Sequence, residues 1–180
     1  MIVAGIDLSL SNTGYAVLNS ESGYLLTSGL IKTKPTETNL EELARLRTIV
    51  EKIMELLHTG DVRLVAIEGI AFMARNSTAL AQLAGLNYLL RNALFLSNIP
   101  FVIVAPTSLK KFVTGKGNGP KDNIMLEIFK RWGVSISDNN IADAYGLAKI
   151  AATIQSPTEN PIIKTQSEVI KLIKPQYEQA

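Results

Sequence analysis

The sequence predicts an α/β chain built on a mixed five-stranded sheet with helices on both faces, and three observations carry that reading. Three short β-type runs joined by tight turns open the chain, and two further β-type runs then alternate with long stretches of helical periodicity. Carboxylates also stand inside otherwise apolar segments, at Asp7, Glu68 and Asp143. A meander followed by alternating elements, β-β-β-α-β-α-β-α, calls for a sheet of mixed direction.

The first strand is expected over residues 2–8, the second over 14–18 after a Ser/Asn/Thr turn, and the third over 24–33 after Ser22-Gly23. Thr38 and Glu41 then match a capping box. Leu40, Leu43, Leu46, Ile49, Val50, Ile53 and Leu57 keep helical spacing from there to Thr59-Gly60. A strand over 64–70, a helix over about 77–97, a strand over 101–105, a helix over about 121–132 and a last core helix over about 140–155 follow. Residues 1–156 are thus expected to form one domain. Residues 157–180 form an extension in which Pro157, Pro161 and Pro175 bracket a short docked helix, with Thr165 and Glu168 as a second capping box before Val169, Ile170 and Ile173. The partner of that apolar face is left open between the chain's own core, a second subunit and DNA.

Composition narrows the chemistry. With 180 residues and an apolar fraction of 47%, the chain suits a globular domain with a sizeable core. It has no cysteine and one histidine, which excludes disulfides, thiolate zinc sites, cysteine nucleophiles and His-rich metal cages. His58 ends a helix, where a structural or dipole role fits. The longest apolar stretch, residues 93–105, is broken by Ser97, Asn98 and Pro100, and no signal-peptide pattern opens the chain. A soluble cytoplasmic protein without membrane contact is expected.

An oxygen-ligand metal site survives this pruning. Burying an unpaired carboxylate costs several kcal/mol, so three acids in apolar settings suggest a shared cation. Mg²⁺ prefers carboxylate and water oxygens, and a pair of such ions can activate a water and stabilise the leaving oxygen in phosphodiester cleavage. If the first and fourth strands are neighbours, Asp7 and Glu68 come within side-chain reach, because adjacent strands lie roughly 4.8 Å apart. The last helix would deliver Asp143 from above, with Asn140 one turn earlier on the same face. Against this stands the plainer reading of a strand-end acid as a solvated terminus or a structural ion pair. Asp138, just before the helix, reads first as its cap and second as a metal ligand, direct or through water.

These segments resemble the RuvC-type Holliday junction resolvases of the RNase H-like superfamily, of bacterial or phage type. Ile6-Asp7-Leu8-Ser9 with Thr13-Gly14-Tyr15 is similar to the family's first motif, and Ala66-Ile67-Glu68 followed by Phe72-Met73-Ala74-Arg75-Asn76 to its second. Ala105-Pro106 with Lys110, Gly115, Gly117 and Lys121 resembles the basic stretch, and Ala142-Asp143-Ala144 the closing acidic motif. The likeness spans about residues 1–155. It implies a homodimeric endonuclease of the RNase H-like fold that cuts four-way DNA junctions symmetrically in recombination and repair. It also implies two Mg²⁺ ions per site, replaceable by Mn²⁺, with Asp7, Glu68 and Asp143 as ligands and no nucleotide cofactor. Two departures stand out. Asn140 occupies a position where the family often has a fourth acid, and is read as a ligand or near-ligand, with Asp138 as the compensating alternative. Phe72 follows Glu68 by four residues, one more than in some members whose aromatic stacks on a base; its other reading is an anchor for the next helix.

Lys110, Lys111, Lys116, Lys121, Lys130 and Arg131 crowd one segment around the run Gly115–Gly119, which a net charge of +2 conceals. Lysines on a glycine-rich loop suit phosphate contact, and a solvated loop is the bland alternative. Within the resemblance Lys110 and Lys121 fall at basic positions, Lys121 beside the reacting phosphate, where a cation can stabilise developing charge. Arg75 is a further DNA candidate. Competing functions are a broader branched- or forked-DNA endonuclease, a non-catalytic junction binder, and an actin-like ATPase or sugar kinase. The last class usually needs a second, duplicated domain, for which 180 residues leave no room.

Overall fold

The computed structural model describes residues 1–70, 78–116, 123–160 and 162–178. Five strands are present: β1 (Ile2–Asp7), β2 (Asn12–Asn19), β3 (Leu25–Lys32), β4 (Val62–Glu68) and β5 (Phe101–Val104). The helices are α1 (Asn39–Thr59), α2 (Thr78–Leu96), α3 (Pro106–Thr114), α4 (Asn123–Trp132), α5 (Asn139–Gln155) and α6 (Lys164–Glu178). The strands form one sheet in the order β3-β2-β1-β4-β5. β1 is antiparallel to β2 and parallel to β4, and the β2–β3 pair is antiparallel and the β4–β5 pair parallel, so the expected mixed sheet is present.

The two-residue period of the strands sorts the core into two halves. Val3, Leu64, Ala66, Val102 and Val104 pack against the side carrying α3, α4, α5 and α6. Ala4, Ile6, Val65 and Ile67 face the other way, onto Leu46, Ile49 and Ile53 of α1 and Leu86, Leu90 and Leu94 of α2. By the same alternation Asp7 follows Val3 and Gly5, and Glu68 follows Leu64 and Ala66, so both acids belong to the α5 face.

α5 lies almost on the sheet's backbone. A Cβ on Gly5 would fall 2.0 Å from the carbonyl oxygen of Ala144 and 2.3 Å from the amide of Ala148. One on Gly14 would fall 2.2 Å from the carbonyl oxygen of Asn140. Only glycine permits both approaches, and Gly14 pairs with Asp7 across β1 and β2.

Three features depart from expectation. Residues 106–114 are helical, whereas the sequence reading treats them as part of a basic stretch between elements. Pro106 opens α3, Leu109, Phe112 and Val113 give it a buried face, and Gly115 ends it at φ 79°. Leu40 and Leu43 keep the period of α1 but are exposed, since only Leu46 and later positions of that helix are buried. The terminal helix begins at Lys164 and runs through Pro175. Thr165 therefore sits inside its first turn and does not cap it, while Gln166 Oε1 accepts from the Ile163 amide at 3.1 Å.

The apolar face of α6 has its partner in the chain's own core, where Val169, Ile170 and Ile173 are buried. Gln176 also completes the edge strand, its Oε1 accepting from the Ile103 amide at 3.0 Å and its Nε2 donating to the Ile103 carbonyl at 3.3 Å. Among the described residues, no helix is long and apolar enough to cross a membrane.

Candidate active site

At the C-terminal ends of β1 and β4 the chain forms a cleft of about 250 Å³ whose walls include Asp7, Ser9, Glu68, Pro106, Lys110, Asn140 and Asp143. Each side chain arrives there for a local reason. The parallel register sets Gly5 against Ala66 and Ile6 against Ile67, and its next step puts Asp7 beside Glu68. The close contact of α5 with Gly5 and Gly14 lowers Asn140 and Asp143 onto the same spot. Asp7 is only 6% exposed, whereas Glu68, Asn140 and Asp143 are half-buried, so the cleft is a wall of carboxylates open on one side.

The turn after Asp7 is tied down. Thr13 Oγ1 donates to the Ser9 carbonyl at 2.7 Å and accepts from the Ser9 amide at 3.2 Å. Arg45 of α1 bonds the Leu10 carbonyl, and its Nε donates to Thr33 Oγ1 at 3.0 Å. Asn87, buried in α2, donates to the Glu68 carbonyl at 3.3 Å. These supports are not legible in the sequence, although Ser9 and Thr13 lie within the first motif.

Asp138 caps α5, with Oδ1 accepting from the Asn140 and Ile141 amides at 2.9 and 3.2 Å. One of its oxygens is thereby committed to the helix end, and Asp138 does not line the cleft. Lys110 does line it, carried there by α3, which packs on α5 so tightly that a Cβ on Gly146 would fall 2.8 Å from Leu109 Cδ1. Lys111 turns away and pairs with Glu168 of α6 at 2.8 Å. Lys116 is exposed just beyond α3. Phe72, Arg75 and Lys121 lie outside the described residues.

The donor set consists of three carboxylates and one amide, all oxygen, which suits a hard divalent cation. Among the described residues, no group of three or more His, Cys, Asp or Glu side chains is gathered closely enough to hold a metal ion by itself. Mg²⁺ keeps several waters and takes one or two carboxylates together with substrate oxygens. Glu68 also borders a second groove of about 460 Å³, floored by Leu8, Leu10, Ile70, Leu80 and Leu83.

A mixed sheet of this order, with acids at the ends of its two central strands and a third on the helix laid across them, defines the RNase H-like class. The family model of the crossover junction endodeoxyribonuclease RuvC matches residues 3–151. RuvC of Brachyspira hyodysenteriae is 34% identical over 152 residues, covering 82% of this chain and 91% of that protein. The solved structure of Thermus thermophilus RuvC superposes with a TM-score of 0.72 at 25% identity, covering 88% of this chain and 98% of that one. A second structure, T. thermophilus RuvC in complex with Holliday junction substrate, shares the fold with a TM-score of 0.72 at 23% identity. The chain belongs to the crossover junction endodeoxyribonuclease RuvC family, a family of nucleases.

Proposed function

We propose that this chain resolves four-way DNA junctions by paired, symmetrical cuts, as a divalent-metal-dependent endodeoxyribonuclease acting as a homodimer. One observation carries the reading: Asp7, Glu68 and Asp143, from three separate elements, line a single cleft together with Asn140 and Lys110. Family membership makes branched DNA the substrate class, and the T. thermophilus relative was solved with a Holliday junction.

Asp7, Glu68 and Asp143 would hold two Mg²⁺ ions, or Mn²⁺ in their place, with Asn140 contributing an uncharged oxygen. Such a pair supplies Lewis-acid stabilisation of the attacking and leaving oxygens in an in-line displacement. The protein's share is placement. Asp7 is fixed by its strand and by the bonded Ser9–Thr13 turn, so its carboxylate does not have to be ordered when substrate arrives. Lys110 gives the cleft a cation to meet a phosphate's negative charge, and Lys116 adds one beyond it. Lys121, Phe72 and Arg75 complete the proposed DNA contacts through the family's motifs. A homodimer is supported by α2, whose Tyr88, Leu89, Phe95 and Leu96 are exposed.

The test is to incubate labelled four-way junction, fork and linear duplex with the protein and Mg²⁺ or Mn²⁺, comparing wild type with Asp7→Asn. Paired nicks at symmetrical positions on the junction, absent in Asp7→Asn although the variant still binds it, are expected. Equal cutting of the fork would point to a general branched-DNA nuclease, and binding without cleavage in any metal would reject the catalytic reading.

A further inference from the structure

Six residues beyond Asp143 on α5, roughly 9 Å along its axis, a lysine is buried where no carboxylate meets it among the described residues. Lys149 is 7% exposed. Its Nζ donates to the neutral Asn160 Oδ1 at 3.1 Å and stands 5.6 Å from the ring centre of Trp132. Burial holds its pKa below the ordinary lysine value. An ammonium so placed is costly unless negative charge can reach it.

Beside it is a cavity of about 240 Å³ walled by Lys149, Arg131, Trp132, Asn160 and Gln166. Among the described residues, two buried side-chain polar atoms lack a hydrogen-bond partner, Arg131 Nε and Thr165 Oγ1. They share a neighbourhood: a Cβ on Gly115 would lie 3.7 Å from Arg131 Nη2 and 3.9 Å from Thr165 Oγ1. Nearby negative charge is short. Glu127 is divided between Lys130 at 3.0 Å and Arg131 at 3.6 Å. Glu159 is an exposed part of the wall and accepts from Thr158 Oγ1 at 2.6 Å. Of the charged residues in the wall, Lys149 and Arg131 stand against Glu159 alone, and the neutral walls contribute mostly donors already in use, such as Gln166 Nε2 bonded to the Phe112 carbonyl at 3.1 Å.

We propose that this cavity is a binding site for a phosphate-class oxyanion, held by Lys149 and Arg131 beside Trp132. An acceptor-only group with several oxygens supplies what a buried ammonium without a carboxylate and a guanidinium Nε–H without a hydrogen bond both lack. The site is separate from the acid cleft and uses Asn160 and Gln166, which lie beyond the residues matched by the family model. The occupant is either free phosphate or a backbone phosphate of bound DNA.

Trp132 is the only tryptophan in the chain, so its emission reads this cavity directly. Sodium phosphate titrated into the full chain, with chloride exchanged to hold ionic strength constant, should give a saturable change in that emission. Lys149→Met and, independently, Arg131→Gln should raise the half-saturating concentration roughly tenfold or more, the loss expected for one charge-assisted hydrogen bond. If Lys149→Met fails to fold by circular dichroism, Arg131→Gln decides alone. A response that chloride reproduces, or that folded variants retain at wild-type concentrations, overturns the proposal. With the site established, saturating four-way junction identifies its source. Loss of the phosphate response marks a DNA phosphate as the occupant, and an unchanged response marks free phosphate.

Discussion

Asn140 sets the character of the acid cleft, because it places an amide where a fourth carboxylate would add charge. An amide oxygen still offers a lone pair to Mg²⁺ but repels neither a phosphate nor the neighbouring acids. Asn140→Ala is therefore expected to lower junction cleavage and move the Mg²⁺ midpoint upward, while Asn140→Asp moves it downward; a midpoint unchanged in both would remove Asn140 from the metal's surroundings. The acids themselves were legible for a simple reason: a charge inside an apolar run needs a partner. Lys149 obeys the same rule, standing in the run from Ala144 to Ala152, but a single lysine on a long helix usually reaches solvent, so its burial is not legible in the sequence. Its burial comes from Asn160 and Trp132, which are distant in sequence and brought near only by the fold. The capping of α5 by Asp138 was readable from its neighbours Ser137 and Asn139, since a cap is a local device.

Among the elements, α3 shows where pattern reading failed. Its signals are present, with proline at the start, a three-and-four spacing of Leu109, Phe112 and Val113, and glycine at the end. The segment is only nine residues long, and its lysines and the glycines that follow read as a phosphate-contacting stretch, so the helical signal is easily masked. The lysines divide by helical face, so that Lys110 reaches the cleft while Lys111 binds Glu168 and staples α3 to α6. The hydrogen bond and charge of Lys111 hold the Glu168 carboxyl below the ordinary carboxylate range. A depressed folded-state pKa contributes stability that is full above the unfolded value and lost as pH falls through the folded one. The difference in urea midpoint between wild type and Glu168→Gln should accordingly be small at neutral pH, because both partners are partly exposed to solvent, and should vanish in acid. A difference that grew on acidification would contradict the pairing.

For the molecule as a whole, the strand–helix order and the sheet's mixed direction were readable from turn lengths and periodicity, whereas the fate of the C-terminal segment was not. Whether an amphipathic helix packs on its own core or on another chain depends on a vacant face elsewhere, which no local pattern reveals. α6 finds that face and also occupies the backbone groups of Ile103 at the β5 edge. The exposed apolar stripe of α2 lies in the opposite half of the molecule, leaving it clear for a second copy. If the proposed homodimer forms through α2, Phe95→Glu should shift the chain toward monomer in sedimentation or light scattering and reduce paired nicking more than single nicking; an unchanged mass would reject that proposed contact. The glycines under α5 carry a last consequence. Because the helix rests on main chain at Gly5 and Gly14, without intervening side chains, no rotamer change can loosen that seat and no compressible layer lets the helix drift. The acid cleft is consequently expected to melt only with the sheet beneath it. On heating, cleavage competence and the sheet's circular-dichroism signal should disappear together in one cooperative step, with no warm interval in which the protein is folded but its carboxylates have lost register.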